Sequence, residues 1–149
     1  DAYTEYVVFI DADFTYPAEY LPKMIRILEE NADVGMVCGN RFNEHFHLER
    51  MGNIYYIGNR FLAFVHNILN GVKMHDPLTG IRVVRREVLK GWGPKSKGFD
   101  FEVELNHFVE KKGFSVVEIP VHYRKRLGKK KLRLRHGLDI LKRILAESF

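Results

Sequence analysis

The run Tyr6–Ile10 constrains the fold of this chain more than any other feature of the sequence. It is apolar, β-branched and aromatic throughout, which is typical of a strand buried on both faces of a parallel sheet. Shorter runs of the same character predict three more strands, at Val34–Cys38, Ile81–Val84 and Phe114–Val121. Pro120 lies in the last of these, and proline is expected at an edge strand or where pairing ends.

Helical patterns separate and follow these strands. The first begins at Pro17 and ends at Asn31, since proline favours the first turn of a helix and asparagine favours its end. The second covers residues 54–70, and its expected inward side is Ile54, Ile57, Phe61, Val65 and Ile68. The third covers residues 100–112, and a fourth is marked by Leu134, Leu138, Leu141, Leu145 and Phe149. Strands that alternate with helices predict an α/β layered fold.

Composition excludes several classes of protein. The 149 residues suffice for one domain, and a content of 46% apolar and 29% charged residues is typical of a globular chain. No apolar run reaches the roughly 18 residues of a membrane span. A single cysteine, Cys38, excludes an internal disulfide framework and a cysteine-based zinc site.

Positive charge is concentrated at the carboxyl end of the chain. The formal net charge is +5, and residues 124–149 hold ten basic residues against two acidic ones. Such a segment favours phosphates, anionic lipid or nucleic acid. Nucleic-acid binding would call for aromatic residues among the basic ones, and there are none between Lys125 and Phe149. We therefore expect no nucleic acid partner.

Two carboxylates, Asp11 and Asp13, directly follow the first predicted strand. In open α/β sheets, ligands bind at the carboxyl ends of the strands. Two adjacent carboxylates repel each other unless a cation joins them, and oxygen ligands suit Mg²⁺ or Mn²⁺ bridging to a substrate phosphate. A metal site is therefore predicted here. The alternative is that Asp13 or Thr15 caps the helix that begins at Pro17.

Two enzyme classes carry such a pair of carboxylates. In nucleotide-sugar transferases it holds the metal of the diphosphate leaving group. In phosphatases resembling the haloacid-dehalogenase family, Asp11 would be the nucleophile and Asp13 the general acid. That family also needs a late acidic pair for its magnesium site. Here the later acidic residues Asp100, Glu102 and Glu104 lie in an amphipathic helix instead.

Four further segments resemble motifs of family 2 glycosyltransferases, in the family's order. They are Gly58–Leu62, Asp76–Arg82, Gly98–Leu105 and the stretch from Glu118 to Leu132. In order and spacing they are similar to the dolichyl-phosphate mannose synthases and their polyprenyl-phosphate glycosyltransferase relatives. The resemblance covers roughly residues 5–132.

The resemblance implies a GT-A, Rossmann-like α/β fold over residues 1–131. The expected piece is the C-terminal part of that domain, with the N-terminal nucleotide-binding part missing. Residues 132–149 would form a basic amphipathic helix on an anionic membrane surface, unless its leucines pack on the domain's own core.

The implied activity is an inverting, metal-dependent transfer of a sugar from a nucleotide sugar to dolichyl or polyprenyl phosphate. Mannose from GDP-mannose is the foremost expectation, with glucose or an N-acetylhexosamine as alternatives. The reaction would take place on the cytoplasmic face of a membrane. A family 2 enzyme with a hydroxyl acceptor remains an alternative, and Asp76 is then the nearest candidate for a general base.

The resemblance also implies roles for single residues. Asp11 and Asp13 would hold Mg²⁺ or Mn²⁺ at the donor diphosphate, and the catalytic candidates are Asp13 and Asp76. Arg126 and Lys131 would close over the same diphosphate. The acceptor-binding candidates are Arg41, Arg60, Arg82 and Glu102, although Asp76 and Glu102 could instead orient sugar hydroxyls or pair with these arginines.

Three positions depart from the family pattern. Thr15 stands where the mannose synthases usually carry glutamine, so the third metal ligand is open. Lys130 replaces a serine, and Ile81 replaces an aromatic residue.

Overall fold

A single four-stranded sheet organises the chain. The computed structural model describes residues 4–42, 54–70, 73–96, 98, 100–124, 127 and 134–148. The strands are β1 (Tyr6–Ile10), β2 (Val34–Asn40), β3 (Ile81–Arg85) and β4 (Ser115–Pro120), in the spatial order β1-β3-β2-β4. β3 runs antiparallel to β1 and β2, whereas β2 and β4 are parallel.

These directions bring several chain segments to one edge of the sheet. The carboxyl ends of β1, β2 and β4 lie there together with the amino end of β3. We call this the site edge. It is where the sequence predicted a ligand to bind.

Helices cover the sheet and add a second packing layer. They are a short 3-10 helix (Ala18–Tyr20), α1 (Leu21–Glu30), α2 (Ile54–Asn70), α3 (Phe101–Lys111) and α4 (Leu134–Ser148). Met24 and Leu28 of α1 pack with Val37 and Val83 on one side of the sheet. α3 belongs to a second cluster, in which Leu105 and Val109 are buried with Met36, Cys38 and Val84.

A third cluster joins the last three helices. Leu62 of α2, Val103 of α3, and Ile140 and Ile144 of α4 are all buried in it. The apolar side of α4 therefore packs on the domain in part, as the alternative for residues 132–149 proposed. Leu138 and Leu145 of the same helix remain exposed.

Two expectations about burial were wrong. β1 is not buried on both faces, because Val8 and Ile10, which share one face, are about 40% exposed. The strand lies at an end of the described sheet and pairs antiparallel with β3. α2 is also turned differently from the prediction. It buries Leu62, Ala63 and His66, and it exposes Ile57, Phe61, Phe64 and Ile68.

Other predictions are confirmed. α1 ends at Glu30 with the predicted Asn31 as its C-cap, and the Asn31 side chain donates a hydrogen bond to the carbonyl of Ile27 at 2.8 Å. Pro120 is the last residue of an edge strand, where its missing N–H costs no ladder bond. Within the described part of the chain, no helix has the length and hydropathy that crossing a bilayer requires.

Candidate active site

The loop after β1 carries the predicted carboxylate pair. Asp11 is exposed and Asp13 is half-buried, and both lie at the site edge. Asp13 Oδ1 accepts hydrogen bonds from the backbone N–H and the hydroxyl of Thr15. The following 3-10 helix takes Pro17 as its N-cap, without a side-chain cap. The capping alternative is therefore wrong, and Asp13 instead bonds to Thr15 within the loop.

Asp11 lies directly against the turn that precedes β3. Its backbone N–H donates to the carbonyl of Gly80 at 3.1 Å. A Cβ atom on Gly80 would stand 2.2 Å from Asp11 Oδ2, so the carboxylate occupies the space of the missing side chain. Tyr16 holds the same turn in place, since its hydroxyl accepts a hydrogen bond from the N–H of Gly80 at 2.8 Å. Burial raises the pKa of Tyr16, which keeps its hydroxyl protonated.

Arg41 and Asp76 form the most complete ion pair of the described site. Arg41 Nε and Nη2 each donate to a different oxygen of Asp76, both at 2.7 Å, and the Arg41 backbone N–H adds a third bond at 3.0 Å. Asp76 is 0% exposed. Burial acts to lower the pKa of Arg41, but the carboxylate of Asp76 outweighs it and holds that pKa well above its ordinary value. The two residues therefore act as one charged unit.

Glu118 positions the segment that contains Asp76. Its two carboxylate oxygens accept the backbone N–H groups of His75 and Asp76, each at 2.7 Å. The sequence placed Glu118 in a family motif but did not assign it this role. The motif itself, a glutamate at the end of a strand, was the available signal. Nothing in the sequence pointed to Tyr16.

Arg82 is buried in the protein rather than open to a ligand. Only 1% of it is exposed. Its guanidinium donates to the carbonyls of Thr79 at 2.6 Å and Pro77 at 3.3 Å, and to Asn106 Oδ1 at 2.7 Å. The side chain thus ties the 77–79 turn to α3.

Glu102 faces a shallow pocket beside Asp11. The pocket has a volume of about 380 Å³, and its lining includes Asp11, Gly80, Phe101 and Glu102. Burial raises the pKa of Glu102, the charge of Arg82 opposes this rise, and Asp11 adds to it. The first turn of α3 therefore places a third carboxyl group in the pocket that Asp11 also lines.

Two of the predicted donor-binding residues, Arg126 and Lys131, lie outside the described residues, as does Lys130. The segment that precedes Arg126 and Lys131 is bonded to the loop after β1. The backbone N–H of Arg124 donates to the carbonyl of Thr15 at 2.8 Å, and its guanidinium lies 4.8 Å from the ring centroid of Phe14. Phe14 has a φ of 69°, a left-handed conformation that costs a non-glycine residue about 1 kcal/mol.

The donor set at this loop fits a cation that also binds phosphate. Among the described residues, no three histidine, cysteine or acidic side chains converge to form a complete protein cage. Mg²⁺ sites of enzymes commonly use one or two carboxylates and complete the shell with water and substrate phosphates. Asp11 and Asp13 supply such a partial set of ligands. The absence of a side chain at Gly80 makes space for the Asp11 carboxylate in this position.

Comparisons with known proteins identify the family and agree with the fold. Residues 1–93 match the model of the family described as "Glycosyl transferase family 2". The chain is 35% identical over 128 residues to a dolichyl-phosphate hexose transferase of Haloferax volcanii, which covers 85% of this chain and 53% of that protein. It is 31% identical over 140 residues to the polyprenol monophosphomannose synthase of Mycolicibacterium smegmatis, covering 85% and 48%. The chain thus spans about half the length of these relatives.

Solved structures show the same architecture. Glucosyl-3-phosphoglycerate synthase from Mycobacterium tuberculosis, in complex with Mn²⁺, UDP-glucose and phosphoglyceric acid, superposes with a TM-score of 0.71 at 19% identity. The match covers 99% of this chain and 50% of that one. This likeness supports the GT-A fold that the sequence predicted.

Proposed function

Because this chain belongs to glycosyltransferase family 2, we propose that it forms the catalytic part of an enzyme that transfers a hexose from a nucleotide sugar to a polyprenyl phosphate. The names of its relatives support this acceptor class. Mannose from GDP-mannose, on dolichyl phosphate, is the first donor and acceptor pair to test. Membership in a family of glycosyltransferases sets the phosphatase alternative aside.

The chemistry asks little of a general base. An oxygen of the acceptor phosphate attacks the anomeric carbon, and the bond from that carbon to the donor's β-phosphate oxygen breaks on the opposite face. The acceptor oxygen is already an anion, so no proton has to be removed. The site must therefore supply orientation and stabilise the charge that develops on the leaving diphosphate.

The loop after β1 would supply that stabilisation. Asp11 and Asp13 would hold Mg²⁺ or Mn²⁺, and the bound metal would neutralise charge on the leaving diphosphate. Glu102, across the shallow pocket, is placed to accept a hydrogen bond from a sugar hydroxyl. Arg126 and Lys131 remain our candidates for the rest of the diphosphate.

The single observation that carries the proposal is the state of Asp76. Both of its oxygens are engaged by Arg41 and it is fully buried. A carboxylate in this state is poorly placed to take a proton from a hydroxyl acceptor. It is well placed to fix Arg41, so we assign Asp76 a positioning role and favour an acceptor that is already charged.

The acceptor phosphate would bind near Arg41 and Arg60. The hydrogen bonds of Arg41 to Asp76 use Nε and Nη2, and Arg60 is an exposed residue of α2 whose guanidinium lies 5.7 Å from the ring centroid of Phe42. The guanidinium of Arg82, in contrast, donates its hydrogen bonds to Pro77, Thr79 and Asn106. We therefore assign it to the shape of the turn rather than to the phosphate.

An exposed stripe on α2 would face the membrane that carries the acceptor. Ile57, Phe61, Phe64 and Ile68 recur at helical spacing and are 56 to 63% exposed. α2 packs against α4, on which Leu138 and Leu145 are exposed beside the exposed Lys142. Apolar side chains with nearby positive charge are the features of a helix that lies on an anionic bilayer. A cytoplasmic orientation of this surface is part of the proposal.

The proposal is tested with membranes that contain the complete gene product. Dolichyl phosphate and Mn²⁺ or Mg²⁺ are added with labelled GDP-mannose, UDP-glucose or UDP-N-acetylglucosamine in parallel, and the lipid is extracted. Label should enter the lipid fraction and fall to background in Asp13→Ala. Asp33→Ala is the matched control. Asp33 directly precedes β2 and therefore lies at the edge of the sheet opposite the site edge. Label that reaches only a hydroxyl acceptor, or water, would contradict the proposal.

A further inference from the structure

A second polar cluster lies at the site edge, away from the carboxylate loop. His75 Nδ1 lies 2.9 Å from Glu118 Oε2. The histidine side chain is 72% exposed, whereas that of Glu118 is 9% exposed. Arg60 Nη1 reaches the backbone carbonyl of His75 at 3.5 Å. The Arg60 guanidinium therefore lies beside the backbone of the residue whose imidazole contacts Glu118.

The carboxylate of Glu118 has hydrogen-bond partners other than the imidazole of His75. It already accepts two backbone N–H groups, from His75 and Asp76. A pair in which the histidine is largely exposed also adds little to folding stability. What the contact does is fix the ring. Because Nδ1 is engaged by Glu118, Nε2 is the ring nitrogen left to face a ligand.

The position of His75 relative to the loop after β1 suits a phosphate other than those of the donor. The turn of residues 75–80 begins beside Glu118 of β4 and ends at Gly80, against Asp11. Since the strand order is β1-β3-β2-β4, Asp11 after β1 and Glu118 of β4 are about three strand spacings, or roughly 14 Å, apart. A hexose linked to a diphosphate at Asp11 would extend along this turn toward His75.

We infer that His75, held by Glu118, binds the phosphate of the acceptor together with Arg60. The inference rests on the proposed function and adds a residue to its acceptor site. His75 would be a binding residue, and Glu118 a positioning residue that acts through it. Arg41, fixed by Asp76, lies between this cluster and the carboxylate loop.

The test compares Michaelis constants in the complete gene product. In His75→Gln, the KM for dolichyl phosphate should rise about ten- to a hundredfold, as expected when a hydrogen bond to a charged group is lost. The KM for the nucleotide sugar should stay within about twofold, because the donor contacts are untouched. His75→Arg, whose guanidinium can donate to a phosphate, should recover most of the loss. His122→Gln is the matched control, since His122 is also exposed and follows β4, the strand that carries Glu118.

Glu118→Gln gives a second readout. It should raise the KM for dolichyl phosphate by a larger factor in the wild-type background than in His75→Gln, because part of its effect acts through His75 and the rest through the backbone of Asp76. If Glu118→Gln does not fold, the exposed His75 still allows the first comparison.

The inference is overturned if His75→Gln leaves the acceptor KM within about twofold of wild type, or raises both Michaelis constants equally. Failure of the proposed function looks different: the wild-type enzyme itself then labels no lipid with any of the donors.

Discussion

The carboxylate of Asp11 occupies the space in which any side chain at position 80 would have to stand. A Cβ atom on Gly80 would lie 2.2 Å from Oδ2 and 2.8 Å from Oδ1 of Asp11, far inside van der Waals contact. The Asp11 N–H also donates to the Gly80 carbonyl. The loop after β1 and the turn before β3 therefore pack directly against each other, and a change in the shape of one requires a change in the other.

Replacing Gly80 should impair the metal site without unfolding the protein. In Gly80→Ala the new methyl group displaces the Asp11 carboxylate, so we expect Mn²⁺ to bind about ten- to a hundredfold more weakly. Titration of transferase activity against Mn²⁺ concentration measures this directly. Gly93→Ala serves as the control, because a Cβ atom there meets nothing within 4 Å. Equal Mn²⁺ dependence in the two variants would show that Asp11 is not a metal ligand.

Arg82 should prove important for stability and not for acceptor affinity alone. Its guanidinium connects Thr79 and Asn106 with bonds from two different nitrogens. A lysine ammonium cannot span both partners, so Arg82→Lys should cost about 3 kcal/mol of unfolding free energy. Urea unfolding measures the loss, with the exposed Arg26→Lys as a control. A fully stable Arg82→Lys enzyme with weaker acceptor binding would restore the original acceptor role of Arg82.

The sequence predicted the strands and helices well because their periods are local. The bounds of β1 and α2 agree with the prediction residue for residue. The antiparallel direction of β3 was not predictable in this way, since strand direction is settled by partners far away in the chain. The face of α2 was wrong for a related reason. This helix is apolar nearly all round, so periodicity alone does not select the side that is buried.

The candidate site was predictable to a similar extent. Asp11 and Asp13 were found because two carboxylates after a strand are chemically unusual. The burial of Arg82 was not, because its partners Pro77 and Asn106 meet only in the folded chain. An arginine in a sequence looks like a surface residue or an anion ligand, and only packing distinguishes these roles.

The exposed stripe on α2 should carry membrane binding. Phe61→Ser combined with Phe64→Ser removes two apolar side chains that would enter the bilayer, so binding to vesicles with anionic lipid should fall about a hundredfold. Stability should change little, because both residues are already more than half exposed. Phe14→Ser is a matched control for binding, being 56% exposed at the site edge instead. Vesicle flotation that is unchanged in the double variant would rule out this surface.

Glu110 of α3 should make stability depend on pH. Burial raises its pKa from an ordinary value of 4.5 to about 7. Between these values the folded state holds a proton that the unfolded state releases, so stability is lost as the pH rises through this window. Glu110→Gln removes the effect. Because the side chain is only partly buried, we expect a gain of about 1 kcal/mol at pH 8.

The gain from Glu110→Gln should vanish at pH 4, where the carboxyl group is protonated in both states of the protein. Thermal unfolding at pH 4, 6 and 8 measures the profile against wild type. Glu29→Gln, on the exposed side of α1, is the control and should show no such trend. A gain of equal size at all three pH values would mean that Glu110→Gln acts through packing rather than through the buried charge.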